Sequence, residues 1–352
     1  MSLADSYRGK RVLVTGDTGF KGSWLAIWLR ELGAEVTGFA QPPSTVRDNF
    51  VTCGLTGVIA HVDGDVRDLA QLAAVVQQCR PEIVFHLAAQ SLVLESYARP
   101  HETFETNVMG VVNVLEAVRG VPSVRAVVIV TSDKCYREQD RLRRFVETDP
   151  LGGHDPYSAS KGAAELVAAS MRDSLFGGRV IATARAGNVI GGGDWAAHRL
   201  VPDCIRSLQA GEPIVLRMPQ AIRPWQHVLD ALHGYLQLAA ALVREDDRFA
   251  SAWNFGPEES DVVPVSTVVD AVLAHWGSGT SRVEGTISGA EARVLMLDIS
   301  KAREQLGWRP ILRLDRAIQL AVAGYRAELA APETTLAHRI AQIRAFESAA
   351  HG

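Results

Sequence analysis

Apolar residues in the first half of the chain fall into short β-branched runs, separated by longer stretches of helical period. "RVLVTG" predicts a strand. "KGSWLAIWLRELGA" predicts a helix on which Trp24, Leu25, Ile27, Trp28, Leu29 and Leu32 form an inward stripe. "EVTGFA" is a second strand, and "GVIAHVDGDV" holds a third. "LAQLAAVVQQC" follows as a helix, "EIVFHLAA" as a fourth strand, "TFETNVMGVVNVLEAVRG" as a long helix and "AVVIVTS" as a fifth strand. "SASKGAAELVAASMRDS" is helical, and "VIATARAGNVIG" begins with a strand. Strands so continuously apolar, alternating with helices, require a parallel sheet covered on both faces. The expected fold class is α/β: a doubly wound parallel sheet of Rossmann type with a smaller C-terminal substrate-binding region.

After Gly191 the alternation breaks, and glycine, proline and tryptophan become frequent, as in "GGGDWAAHRLVPD" and "IRPWQHV". The expected organisation is a dinucleotide-binding domain over 1–190, a mainly substrate-binding region over 191–330, and a peripheral helix over 331–352. "WQHVLDALHGYLQLAAALV" brings the chain back to the first domain around 222–257.

Composition narrows the class. Of 352 residues, 47% are hydrophobic and 22% charged, which is ordinary for a globular enzyme. A net charge of −4 supplies no basic field for nucleic acid or an anionic membrane surface. No apolar run reaches membrane-spanning length, and "MSLADSYRGKR" lacks the apolar core of a signal peptide. Cys53, Cys79, Cys135 and Cys204 are scattered, without metal-ligand spacing, so reduced thiols in a cytoplasmic protein and no metal site are expected. The mixed-sign run "REQDRLRR" reads as a solvated face.

"TGDTGFKG" joins the first strand to the first helix. Gly16, Gly19 and Gly22 permit a tight turn and close approach to a pyrophosphate, and the helix amino end supplies N–H donors; Thr18, Phe20 and Lys21 complete the loop. A tight βα turn without a ligand is the alternative. The second strand ends in "TGFAQPP", with neither the carboxylate that binds an adenosine ribose nor an arginine for a 2′-phosphate, so NAD is expected over NADP and is held loosely. Asp65 and Val66 after the third strand offer an adenine contact; Asp65 as a helix cap is the alternative.

"YSASK" sets Tyr157 and Lys161 four apart, on one helix face. A lysine there stabilises phenolate, giving a base for an alcohol proton while hydride leaves the same carbon. Ser132, at the tip of the fifth strand in "TSDKCY", can hydrogen-bond the same alcohol, and Asp133 and Lys134 follow it directly.

These motifs, with "FHLAAQ", "TNVMG" and "RAGNVIGGGDW", resemble the extended short-chain dehydrogenase/reductase family of NAD-dependent epimerases and dehydratases over nearly the whole chain. The stretches "GFKGSWLAIWL", "TFETNVMG", "DPLGGHDPYSASK" and "IRPWQHV" are most similar to its nucleotide-sugar 4,6-dehydratases. The resemblance implies NAD and a nucleotide-diphosphate hexose, foremost CDP-D-glucose. It implies C4 oxidation with Tyr157 as base, loss of water across C5 and C6, and hydride return to C6. Asp133 is then the acid toward the C6 hydroxyl and Lys134 the C5 base, or else Lys134 pairs with Asp133 or a substrate phosphate. The resemblance further assigns Ala88, Ala89, Gln90, Thr106 or Asn107, and Thr131 to the cofactor, and Asn188, Arg199 and Arg223 to the substrate. His86 and His227 read as core or supporting histidines, and Trp195 and Trp225 either cover the sugar nucleotide or pack internally. Two helical stretches, "TFETNVMGVVNVLEAV" and "YSASKGAAELVAAS", imply a homodimer through a four-helix bundle. Departures from the family pattern are "REQDRLRRFVETD" after "TSDKCY", and Ala290 where a histidine is usual. A dehydratase for another nucleotide sugar, an epimerase and a non-catalytic dinucleotide-binding protein are the rival readings; Asp133 and Lys134 argue against the epimerase.

Overall fold

Period-two alternation along the strands sets the layers. In β1 (Arg11–Thr15), Val12 and Val14 enter one apolar core and Leu13 another. The same split recurs in β4 (Ile83–His86, after β2, Glu35–Ala40, and β3, Ala60–Asp63), and in β5 (Ala126–Val130): Ile83, Phe85, Ala126 and Val128 on one face, Val84, Val127 and Ile129 on the other. These strands and β6 (Ile181–Arg185) run parallel in the order β6-β5-β4-β1-β2-β3, and Ala252–Asn254 adds a parallel edge beside β6. The sheet is the expected doubly wound one. The computed structural model describes residues 3–137, 144–244, 247–284 and 296–351. Most of the run "REQDRLRR", and Ala290, lie outside the described residues.

The helices in chain order are α1 (Leu3–Tyr7), α2 (Phe20–Glu31), α3 (Asn49–Thr52), α4 (Leu69–Cys79), α5 (Val93–Ala98), α6 (Pro100–Phe104), α7 (Gly110–Val118), α8 (Pro156–Leu175), α9 (Leu200–Ala210), α10 (Val228–Val243), α11 (Val265–Trp276), α12 (Leu314–Ala330) and α13 (Thr335–His351). Helices α2 and α10 cover one face of the sheet; α4, α7 and α8 cover the other. Trp24 and Trp28 are buried, as their helical stripe predicts. A third core, built on Cys204, Ile205, Trp225, Val268, Val272 and Ile318, lies among the later elements. The last helix, α13, lays Ile343 and Phe346 into the core on the α2 side, and its fully buried Arg339 pairs with Glu328 at 2.9 Å.

The one long helix expected after β4 is interrupted. Between α6 and α7, residues Glu105–Met109 form a π-helical turn. Such turns re-aim a side chain that regular α geometry would carry past its target; here the turn holds Asn107. Chain order reverses between β1 and β4, so the crevice for a ligand opens at their carboxyl ends.

Candidate active site

The glycine loop sits at that reversal. Gly16 has φ +78°, and a Cβ there would stand 2.5 Å from the backbone nitrogen of Ala88. A Cβ on Gly22 would stand 2.0 Å from the Gly16 carbonyl. The protein's own packing therefore demands both glycines. Gly19 is different: a Cβ would meet only the Gly16 carbonyl, at 3.3 Å, so open space lies beside it at the amino end of α2. That bare helix terminus is the kind of cradle a pyrophosphate fits. Thr18 ties the loop to the end of β2 through Oγ1 and the Gln41 carbonyl, 2.9 Å. Thr15 Oγ1 and His86 Nδ1, 2.7 Å apart, join the tips of β1 and β4. Burial, and then Lys161, push His86 down to about 3, so it is neutral.

At the adenosine end, Asp65 accepts from Gln41 Nε2 (2.6 Å) and Arg67 Nε (2.9 Å). Burial alone would raise its carboxyl; these donors hold it below the ordinary carboxylate range. The cap of α4 is Asp68, not Asp65: its side chain accepts from the Gln71 amide. Val66 is buried, and its carbonyl accepts from Asn113. Ala88, Ala89 and Gln90 follow β4. Asn107 Oδ1 accepts from the Gln90 amide at 2.9 Å, while its Nδ2 donates to the Gln90 carbonyl and to Ser160 Oγ. The π-helical turn thus fastens this wall to the helix that carries Tyr157.

Ser132, Asp133 and Lys134 lie just past β5. Ser132 Oγ donates to Asp133 Oδ1 at 2.9 Å and accepts from the Lys134 amide. Asp133 is buried, whereas Lys134 is exposed. Asp155 caps α8 through the Ser158 amide, and Pro156 opens its first turn; Tyr157 and Lys161, both buried, then face the strand tip. The expected lowering of Tyr157 by Lys161 is not what dominates. Burial pushes the phenol up to about 12; a hydrogen bond with Ser132 pulls it down, and Asp133 pushes it up again. Lys161 is itself lowered to about 8, by burial and then by Lys21.

Lys21, expected as one more loop residue, turns its amine into this cluster. Lost hydration and Arg199 lower it to about 8, against Asp133 and Asp194, which favour its charge. Arg199 pairs with the buried Asp194 at 2.9 Å and reaches Ser91 Oγ at 3.1 Å. Asn188 adopts φ +46°, a left-handed turn that asparagine tolerates, as the chain leaves β6. Arg223 lies in the short strand Ile222–Pro224, its Nη1 donating to the Ile222 carbonyl. The buried Trp225 belongs to the third core, and half-buried Trp195 donates to Glu328 at 2.7 Å. His227 is fully buried and caps the Leu229 amide.

Reasoning from sequence missed Gly187, Asp194, Glu165 and Arg185. Thr131 Oγ1 turns inward to Glu165, which also takes Thr183 and Arg185. The signal was present: Arg185 is a charge ending an apolar strand, and Glu165 one on the buried face of a helix.

A family model described as GDP-mannose 4,6 dehydratase matches residues 13–320. The chain is 46% identical, over 329 residues, to a CDP-glucose 4,6-dehydratase of Salmonella typhimurium, covering 91% of this chain and 92% of that one. Among solved structures, a UDP-glucose 4-epimerase of Thermus thermophilus in complex with NAD is 27% identical, with a TM-score of 0.76, over 90% of this chain and 99% of that one. A dTDP-glucose 4,6-dehydratase of Streptomyces venezuelae shares the fold at 24% identity and a TM-score of 0.75, over 91% of this chain and 98% of that one.

Proposed function

This chain belongs to the family described as GDP-mannose 4,6 dehydratase, and we propose that it is an NAD-dependent nucleotide-sugar 4,6-dehydratase converting CDP-D-glucose to CDP-4-keto-6-deoxy-D-glucose and water. The observation that carries this reading is the segment Ser132-Asp133-Lys134 at the tip of β5, facing Tyr157 and Lys161. An epimerase needs the serine, tyrosine and lysine; the adjoining acid and amine suit an elimination.

NAD would be held by Gly16, Thr18, Gly19, Phe20, Lys21 and Gly22, by Asp65 and Val66, and by the wall from Ala88 to Gln90 with Asn107, where it would supply a reversible hydride acceptor for C4 and C6 of the sugar. Tyr157 removes the C4 hydroxyl proton, Ser132 hydrogen-bonds that oxygen, and Lys161 holds positive charge beside the phenolate. Asp133 donates a proton to the departing C6 hydroxyl. Lys134, exposed at the strand tip, removes the C5 proton. Arg199 and Arg223 meet the diphosphate, and Asn188 the sugar. In this reading residues 1–190, with 222–257, bind the dinucleotide, and 191–330 bind the sugar nucleotide.

The same proposal includes a homodimer. Tyr97, Phe104, Met109 and Leu166 are large apolar side chains exposed on α5, α6, the π-helical turn and α8. A second copy covering them would form the expected four-helix bundle. No helix among the described residues is long and apolar enough to cross a membrane. The four free cysteines accord with the cytoplasmic location that we propose.

Incubation with NAD+ and a panel of nucleotide sugars tests the reading. CDP-glucose is expected to give the near-ultraviolet absorbance of a 4-keto-6-deoxy sugar in alkali. An epimerised sugar, or cofactor binding without product, overturns it.

A further inference from the structure

Glu165 is buried one helical turn beyond Lys161, yet no step of the dehydration uses it. One carboxylate oxygen accepts from Thr131 Oγ1; the other accepts from Thr183 Oγ1 and Arg185 Nη2, each at 2.7 Å. Arg185 extends the network: Nη1 donates to the Tyr136 hydroxyl (2.7 Å) and to the Glu147 carbonyl (3.0 Å). Tyr136 in turn donates to Asn254 Oδ1 at 2.7 Å. Thr131 and Tyr136 bracket the segment that holds Ser132, Asp133 and Lys134. The ion pair therefore grips both ends of that segment and the helix bearing Tyr157 and Lys161.

Stability alone does not account for such a pair. Glu165 and Arg185 are only 2% and 3% exposed, and two apolar side chains of similar volume would hold such a place as well or better. The pair is neutral overall, but it is its carboxylate that acts on Lys161, and apolar packing could not supply that. The charged or titratable groups around Lys161 are Lys21 from α2, Cys135 from the segment after β5, neutral His86 from β4, and Glu165 and Tyr157 one turn either side on its own helix. Lys21 and burial oppose its charge, and Glu165 favours it. Burial alone would raise Glu165, but Arg185 and the two threonine hydroxyls keep it ionised, below the ordinary value.

We propose that Glu165 is a positioning residue for the dehydration, clamping residues 131–136 against α8 through Arg185 and setting a carboxylate one helical turn from Lys161. The proposal rests on the reading of Ser132, Tyr157 and Lys161 as the oxidation site, but its test does not need the substrate. The chain has five lysines, so a lysine-Cε NMR titration resolves Lys161, assigned by its loss in Lys161→Met. Glu165→Gln is expected to lower the Lys161 midpoint by ~1 pH unit, because a neighbouring negative charge is gone. With substrate at pH 8, kcat falls by about fivefold as the ammonium fraction drops, while KM stays within about twofold. Glu165→Gln/Arg185→Gln, which leaves no unpaired guanidinium, gives a smaller shift of the same sign and serves if the single variant does not fold. An unchanged midpoint in either folded variant overturns the proposal. Failure of the wild type to turn over any nucleotide sugar overturns the proposed function instead.

Discussion

Gly187 lies so close to Asp133 that a Cβ there would come within 1.9 Å of the carboxylate oxygen Oδ2. Asp133 is buried and already fixed by Ser132, so it has little room to retreat. Gly187→Ala is therefore expected to turn the acid away from the departing hydroxyl, lowering kcat by roughly 10²-fold, the lower range for loss of a general acid. Steady-state kinetics check it. A variant with wild-type kcat would show that the Asp133 carboxylate need not stay where it is.

Lys134→Ala is expected to separate the two halves of the reaction. C4 oxidation stays possible, whereas loss of water slows by about 10²–10⁴-fold. Reduced cofactor then accumulates on adding CDP-glucose, and solvent deuterium does not enter C5. Tyr157→Phe should form no reduced cofactor. A Lys134→Ala enzyme with only a raised KM and normal deuterium entry would make Lys134 a binding residue.

Light scattering at micromolar concentration is expected to give a dimer. Leu166 is 62% exposed on α8, and Tyr97 equally so on α5. Leu166→Glu puts a charge into the predicted seam and should shift the protein toward monomer. An unaltered dimer would locate the interface on another face.

Cofactor choice should follow the adenosine end of the crevice. Asp65, bonded to Gln41 at the end of β2, is ionised, with Arg67 committed to it. A 2′-phosphate would add negative charge at the same end of the crevice, so NAD is expected to exceed NADP in kcat/KM by at least about tenfold. Asp65→Asn should narrow the gap. Purified protein retaining stoichiometric NADP would contradict this.

Two buried histidines set an acid limit. Burial lowers both His86 and His227 from the ordinary 6.5 to about 3, with Lys161 and Arg339 respectively as the next causes. The unfolded chain therefore binds more protons below pH 6.5, and stability is lost as pH falls from there toward 3. At pH 5.5 each costs about 1 kcal/mol relative to neutral pH. Denaturant unfolding against pH measures this. His227→Gln should remove about half of the loss, and an unchanged slope would mean that His227 is not buried neutral.

The sequence by itself determined the parallel sheet, the glycine loop at its first turn and the placing of Tyr157 and Lys161 one turn apart on α8. Each is local: strand and helix periods, a βα turn, and a spacing of one helical turn are written within a few consecutive residues. Only the tertiary structure decided the rest. Glu165 meets Arg185 across 20 residues, and Thr131 across 34, because α8 lies over the tips of β5 and β6. Gly187 is bare because Asp133 fills its space, and Lys21 enters the cluster because α2 begins at the crevice. Tyr157 shows the same division. Its spacing from Lys161 argued for a lowered pKa, but burial, which belongs to no single stretch of chain, raises it, against the lowering by Ser132 and Arg199.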